Sequence, residues 1–301
     1  MHRVTIHRFR ALACRLILLG TSPLAAVVVG AQPGRATSRT QAGADSIRPI
    51  DVELAPRPTS HAFRTTRPPT IDGRLDEAEW ALAPVIGNFI QQLPKTGYPA
   101  TFPTVVHVLY DADHLYIGAT LYDPEPKKAI TAGKERDFVS SASDLFGVVL
   151  DTFKDRRNSF LFLVNPAGAV RDEQTYNDSR TIVDAWEGVS KVRTMVNDSS
   201  WTVEMTIPLR TLRFDATHLP QEWGMNFIRR VRRTSETSYW APLERQYRLH
   251  RMSKAGTLTG LDSLRPGRNL QLKPYVVANR STGAQVPAAQ LAGHFHDTYG
   301  Q

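Results

Sequence analysis

Thiols are nearly absent from this sequence: its only cysteine is Cys14. That residue falls in an N-terminal stretch that reads as a removable export signal, so the remaining chain has neither a disulfide framework nor a thiolate metal site. Its core alone must hold the fold. Acid is missing from the first ten residues, which carry Arg3, Arg8 and Arg10, and the apolar stretch from Leu16 ends in Val29-Gly30-Ala31, a small-residue cleavage pattern. Arg15 at its front and Pro23 inside it keep the uninterrupted run below the roughly 20 residues a spanning helix needs. Cleavage after Ala31 is expected in place of a retained anchor. Cys14 also lacks the leucine three residues earlier that marks a lipid-modified cysteine.

Strong charge of one sign is missing too. The formal net charge is +8, and Arg3, Arg8, Arg10 and Arg15 take half of it away with the signal. Nucleic acid is therefore not an expected partner. The surviving basic cluster, Arg229, Arg230, Arg232 and Arg233 around Val231, reads as a strand edge whose arginines pair with acids or water.

Catalytic signatures are equally scarce. There is no Gly-x-Ser-x-Gly elbow. The obvious acids, Asp144 and Asp151, stand seven positions apart along one strand, which puts them on opposite faces and roughly 23 Å apart. A glycosidase needs its two carboxyl groups about 5 to 10 Å apart, so this pair cannot hydrolyse a glycosidic bond. Either acid could contact a structural calcium ion completed by loop oxygens, or simply tie loops by hydrogen bonds. Asp111 and Asp113 read as a turn, because no Asp-x-Asp-x-Asp-Gly loop follows them.

What is present is strand after short strand. Residues 32–62 are rich in Ala, Arg, Thr, Ser, Gln and Pro without apolar periodicity, the composition of a linker that cannot order itself. The first landmark is Pro69-Thr-Ile-Asp-Gly-Arg-Leu-Asp-Glu-Ala-Glu-Trp80, a glycine turn and then a short helix with Trp80 pointing inward. Thr104 to Tyr110 and Leu115 to Tyr122 form a hairpin across Asp111–His114. Leu145 to Leu150 and Phe160 to Val164 are continuous apolar runs, suited to strands buried on both faces. Trp201, Val203, Met205 and Ile207 alternate with Thr202, Glu204 and Thr206, which predicts one buried and one wet face. Trp223 to Arg232, Thr237 to Trp240 and Gly256 to Leu261 complete the set. Such spacing, with few long helical patterns, predicts an all-β, antiparallel β-sandwich of the jelly-roll-like kind with short helical insertions, spanning 63–264.

Ile71-Asp72-Gly73 with Asp76-Glu77 and Trp80, Leu115-Tyr116 with Asp123-Pro124, Asp144 and Asp151 bracketing a strand, Phe162 to Asn165, Trp201 to Ile207, and Gly224 with Asn226 together resemble the family 9 carbohydrate-binding module, over residues 65–262 and in the family's order. More narrowly, the chain is similar to bacterial envelope proteins in which such a module precedes an outer-membrane β-barrel. The tail 265–301, with Leu270 to Ala278, corresponds to the first barrel strand, which implies a reading frame that stops short of the barrel. The resemblance implies a module that binds a glycan or polysaccharide and is often attached to enzymes of glycosidic bond cleavage and carbohydrate catabolism. Its alternative is a periplasmic partner domain of a barrel that has lost sugar binding. Family members that clamp a sugar between two aromatic rings carry them where this chain has Ser141 and Leu249.

With those rings replaced, Trp186, in a polar acidic stretch, and Trp240, before a proline at a strand end, are the best remaining candidates for aromatic platforms, with core packing as the alternative for each and Tyr247 near the second lost ring. Asn165, Arg171 and Asp172 would add the amide, guanidinium and carboxylate that hydroxyl recognition uses, while Asn165-Pro-Ala-Gly168 is equally a turn signature. No cofactor is required beyond the possible calcium at Asp144 and Asp151. The expected destination is the cell envelope, on the periplasmic side of an outer membrane.

Overall fold

The computed structural model describes residues 48–266 apart from His218, and within them it is built almost wholly of strands. In chain order they are β1 (Thr59–His61), β2 (Phe63–Arg64), helix α1 (Ala78–Leu82), β3 (Ile90–Leu93), β4 (Thr104–Tyr110), β5 (His114–Tyr122), β6 (Leu145–Asp151), β7 (Ser159–Val164), β8 (Val170–Tyr176), β9 (Thr181–Val183), β10 (Lys191–Val196), β11 (Ser200–Pro208), β12 (Gln221–Val231), β13 (Glu236–Tyr239) and β14 (Gly256–Leu261). They form two sheets. The larger runs β1-β14-β12-β6-β7-β8-β9, with β13 on β12 beside β14 and β3 on β13; the smaller runs β10-β11-β5-β4-β2. All pairings are antiparallel except β1 with β14 and β2 with β4. This is the expected β-sandwich.

Strand alternation builds the core. Phe146, Val148 and Leu150 of β6, Phe160, Phe162 and Val164 of β7, and Trp223, Met225 and Phe227 of β12 face Val106 and Val108 of β4, Ile117, Ala119 and Leu121 of β5, and Trp201, Val203, Met205 and Ile207 of β11. Each such side chain, fully buried, contributes about 1.5 to 3 kcal/mol of apolar transfer. The hairpin over Asp111–His114 is as expected, with Tyr110 opposite Leu115 and the Asp111 carboxylate accepting from the Asp113 and His114 amides.

Both outer faces are covered as well. On the smaller sheet, α1 and the segment before it lay Ile71, Trp80 and Ala83 on Leu109 and Tyr116. On the larger sheet, Phe138 and a strap over residues 243–255, carrying Leu243, Leu249, Met252 and Ala255, pack on Leu145, Val149, Leu161, Leu163, Ile228 and Tyr239. That second cover explains the apolar runs of β6 and β7: both of their faces are dry.

Three expectations need correction. The outer face of β11 is not wet. Glu204 is fully buried there, its carboxylate accepting the amides of Asp72 (2.8 Å) and Gly73 (2.7 Å) and the Trp80 indole N–H (3.2 Å). Gly118 on neighbouring β5 leaves the space for this contact, because a Cβ there would lie 2.9 Å from the Trp80 ring. Secondly, the ordered domain begins before residue 63. Val52 is buried, the Ile50 amide donates to Gly97, and β1 pairs along β14. Tertiary pairing orders a segment whose composition could not order itself.

Thirdly, the arginine cluster is not on a sheet edge, since β12 lies between β6 and the pair β13 and β14. Pairing with acids and other protein groups is nonetheless what three of its members do. Arg229 is buried between the sheets and donates to the carbonyls of Phe102 (3.1 Å), Pro103 (2.7 Å) and Tyr122 (2.5 Å) and to the Thr104 hydroxyl (3.1 Å). Arg233 binds the Asp123 carboxylate through both terminal nitrogens, and Arg230 donates to the Ser140 carbonyl. No helix among the described residues is long and apolar enough to cross a membrane. The signal segment 1–31 and the Leu270 to Ala278 segment lie outside the described residues.

Candidate functional site

Strand pleat separates the residues that sequence placed together. Arg171 and Asp172 are successive on β8 and so point to opposite sides of the sheet. Asp172 faces inward and is buried: Arg136 Nη2 donates to it at 2.5 Å, and the Gly188 amide donates to its other oxygen. Burial pushes its pKa up, against the opposing pull of the Gly188 amide and Arg136. Trp186 stands at the same corner, half-buried, its ring 5.1 Å from Phe160 and 5.8 Å from Phe162. It closes the margin of the core, and one of its faces is spent on that packing.

Trp240 is no platform at all. It is buried in the core with its ring edge toward Phe227, 6.0 Å between centroids. Asn165 is fully buried: Nδ2 donates to the Gly133 carbonyl (2.9 Å), and Oδ1 accepts from Ala167 (3.0 Å) and Ala169 (3.1 Å). It stitches the β7 to β8 turn, and its burial closes it to a ligand. A shallow groove of about 360 Å³ opens beside that turn, lined by Pro126, Lys127, Ala129, Lys134, Pro166 and Val196 among others, with no aromatic ring in its wall.

The proposed calcium ligands are tied up in the same manner. Asp144 accepts the Arg232 amide at 2.6 Å and Asp151 accepts the amides of Arg156 (2.7 Å) and Asp155 (3.3 Å). They sit at opposite ends of β6, each holding a loop. Among the described residues no group of three or more His, Cys, Asp or Glu side chains is arranged to hold a metal ion. Burial raises both carboxyl groups, Asp151 to about 6.

Arg171 and Tyr247 share the other side, the outer face of the larger sheet, and with them come residues that the sequence did not single out. Arg171 donates to Glu173 Oε1 at 2.7 Å, and His250 Nε2 binds Glu173 Oε2 at 2.8 Å. Burial pushes Glu173 up, but His250 and Arg171 outweigh it and hold the carboxyl below the usual glutamate range. Tyr247, half-buried on the strap, has the Arg251 guanidinium 4.6 Å above its ring. Gln92 on β3 pins the strap by donating to the carbonyls of Glu244 and Tyr247, both at 2.8 Å. Tyr239, Arg230 and Arg248 complete this face at its β12 and β13 side. Burial raises the Tyr239 phenol to about 12, although Arg230 and Arg248 pull it down. Ser141 is on the short turn Ser140–Ala142 and Leu249 is buried under the strap, so neither position offers a ring.

An apolar layer closed by a strap, with arginines, tyrosines and a carboxylate around it, marks the outer face of the larger sheet of this β-sandwich module. The chain belongs to the carbohydrate family 9 binding domain-like family, whose model matches residues 71–233, more than half of the sequence. A protein from Bacteroides uniformis ATCC 8492 described as carbohydrate-binding shares the fold, with a TM-score of 0.56, 11% identity, and coverage of 68% of this chain and 100% of that one. A family 9 carbohydrate-binding module from Caldicellulosiruptor kristjanssonii in complex with cellotriose aligns with a TM-score of 0.49 at 15% identity, covering 73% of this chain and 100% of that one. No curated protein matches the sequence.

Proposed function

We propose that this chain binds a glycan without breaking it, on the outer face of the larger sheet. The observation that carries the reading is family membership over residues 71–233, the stretch that contributes Arg171, Glu173 and Arg230 to that face. Chemistry agrees: guanidinium, carboxylate and phenol groups supply the donors and acceptors that sugar hydroxyls need, and the half-buried Tyr247 ring supplies a surface for a C–H face. Binding rests on hydrogen bonds and on Tyr247 in place of a two-ring clamp, so the expected affinity is modest. The export pattern over residues 1–31 supports an extracytoplasmic place in the cell envelope. An accessory role beside glycosidic bond-cleaving enzymes fits both.

Affinity electrophoresis through gels containing soluble polysaccharides tests the reading. The chain is expected to be retarded by at least one of them, and a Tyr247→Ala variant with unchanged circular dichroism to lose most of that retardation. Free migration through every polysaccharide tried overturns it.

A further inference from the structure

The turn that follows β6 leaves one large apolar ring in the open. Phe153 is 50% exposed there, and the residues after it, Lys154, Asp155, Arg156 and Arg157, are exposed and charged. A single exposed phenylalanine says little by itself. This one walls a cavity of about 320 Å³, together with Thr152 and Lys154 of the same turn, Asp215, and Pro220, Gln221 and Glu222 at the start of β12. That volume lies at the lower end of the roughly 300 to 1,000 Å³ of small-ligand sites.

Hydrogen bonds within the protein fix the walls. Asp151 holds the turn by accepting the amides of Arg156 (2.7 Å) and Asp155 (3.3 Å), and the Thr152 hydroxyl donates to the Arg213 carbonyl. Gln221 ties the opposite wall: its amide donates to the Asp215 carbonyl, and its Oε1 accepts the Trp223 indole N–H at 2.8 Å. Lys154 and Glu222, both exposed, pair with each other and so join the turn to β12. That pair uses one ammonium hydrogen and one carboxylate oxygen, which leaves donors and an acceptor to spare.

Charge in the wall disfavours an anion, because Lys154 is matched by Glu222 and Asp215 adds a carboxylate. A neutral ligand with adjacent hydroxyls instead gains a donor, an acceptor and an aromatic face for its C–H groups. We propose that this end of the sandwich holds a second saccharide site, where one face of a neutral sugar ring lies on Phe153 and two adjacent hydroxyls engage the Lys154 ammonium and the Glu222 carboxylate. It shares no residue with the outer-face site and rests on the glycan-binding reading above only for the class of its ligand. A polysaccharide long enough to reach both sites then binds more tightly than either site alone accounts for.

Amide proton–nitrogen correlation spectra of the chain, recorded during titration with cellotetraose, mannotetraose and xylotetraose, test the site on the wild type, Phe153→Ala and Tyr247→Ala. With at least one probe, the amides of 152–154 and 221–222 are expected to shift saturably in the wild type and in Tyr247→Ala. In Phe153→Ala the affinity read at those amides is expected to fall at least tenfold, while the strap amides still respond. Phe153 is exposed, so its replacement leaves the core intact. Strap amides that shift while 152–154 and 221–222 stay still, or a response at 152–154 that survives Phe153→Ala, overturn the second site and leave the outer-face reading standing. Shifts at 152–154 and 221–222 with a silent strap do the reverse. No saturable shift with any of the probes overturns both.

Discussion

Asp151 is a carboxylate with little room for its charge. It is fully buried at the end of β6, and although Arg156 and Asp155 donate amides to it, burial lifts its pKa from 3.8 to about 6. A carboxyl group raised in the folded state binds its proton more tightly there than in the unfolded chain. It therefore favours folding fully below the unfolded value, and that contribution is lost as pH rises through about 6. Two pKa units correspond to roughly 3 kcal/mol. Urea denaturation at pH 4 and pH 7.5 should show Asp151→Asn missing a loss of that order seen in the wild type; parallel pH dependences would sink the assignment. From sequence this residue looked like a calcium ligand or a loop tie, and the tie is what the geometry shows. Glu204 escaped notice for a related reason. Alternation along β11 correctly marks Trp201, Val203, Met205 and Ile207 as inward, but it is blind to a second layer arriving from residues 71–82 to dry the other face.

Among the elements, the strap over residues 243–255 decides what the outer face can be. It is held by Gln92 to two of its carbonyls, by Glu173 to His250, and by Asp178 to Arg251. Each tie joins residues far apart in sequence, so no local pattern announces the strap, and the segment reads as loop. Gln92→Ala should cost about 1 to 2 kcal/mol, two buried carbonyls losing their donor. Hydrogen exchange followed by mass spectrometry should find the amides of 244–254 faster and those of β11 unchanged; equal acceleration everywhere would show that Gln92 supports the whole fold and not the strap. The His250 tie adds a pH dependence of the opposite sign to that of Asp151. Glu173 is held below its ordinary value, so its stabilisation is present above the usual glutamate range and lost as pH falls through the lower folded value.

At the scale of the molecule, the two sheets are joined by apolar contact and by polar links such as the Tyr110 hydroxyl to the Gly260 carbonyl (2.7 Å) and the buried cation of Arg229. Arg229 reaches from β12 in the larger sheet to Phe102, Pro103 and Thr104 and to Tyr122 at the end of β5 in the smaller. Desolvation lowers its pKa to about 10, which still leaves it charged at neutral pH. Arg229→Met keeps the bulk but strands those carbonyls, and should cost roughly 3 kcal/mol. In a domain of this size that lowers the melting temperature by roughly 6 to 12 °C. A melting temperature within 2 °C of the wild type in Arg229→Met would reduce the residue to a spacer.

Apolar periodicity and turn residues determined β4 to β7, β11 to β14, the hairpin and the inward face of β11, because a half-buried strand must alternate and a tight turn must use Gly, Asn or Asp; β1 to β3 and β8 to β10 escaped that reading. The near-absence of thiols likewise settled that this core stands without disulfides. Tertiary structure alone decided which polar residues meet. Arg171 and Asp172, adjacent in the chain, part to opposite sides of a pleated strand. Gln92 of β3 and the carbonyls of Glu244 and Tyr247 meet although the strap lies about 150 residues further along the chain. Pleat direction follows from local backbone geometry, whereas convergence is set by the long-range packing that folds the strap over the sheet.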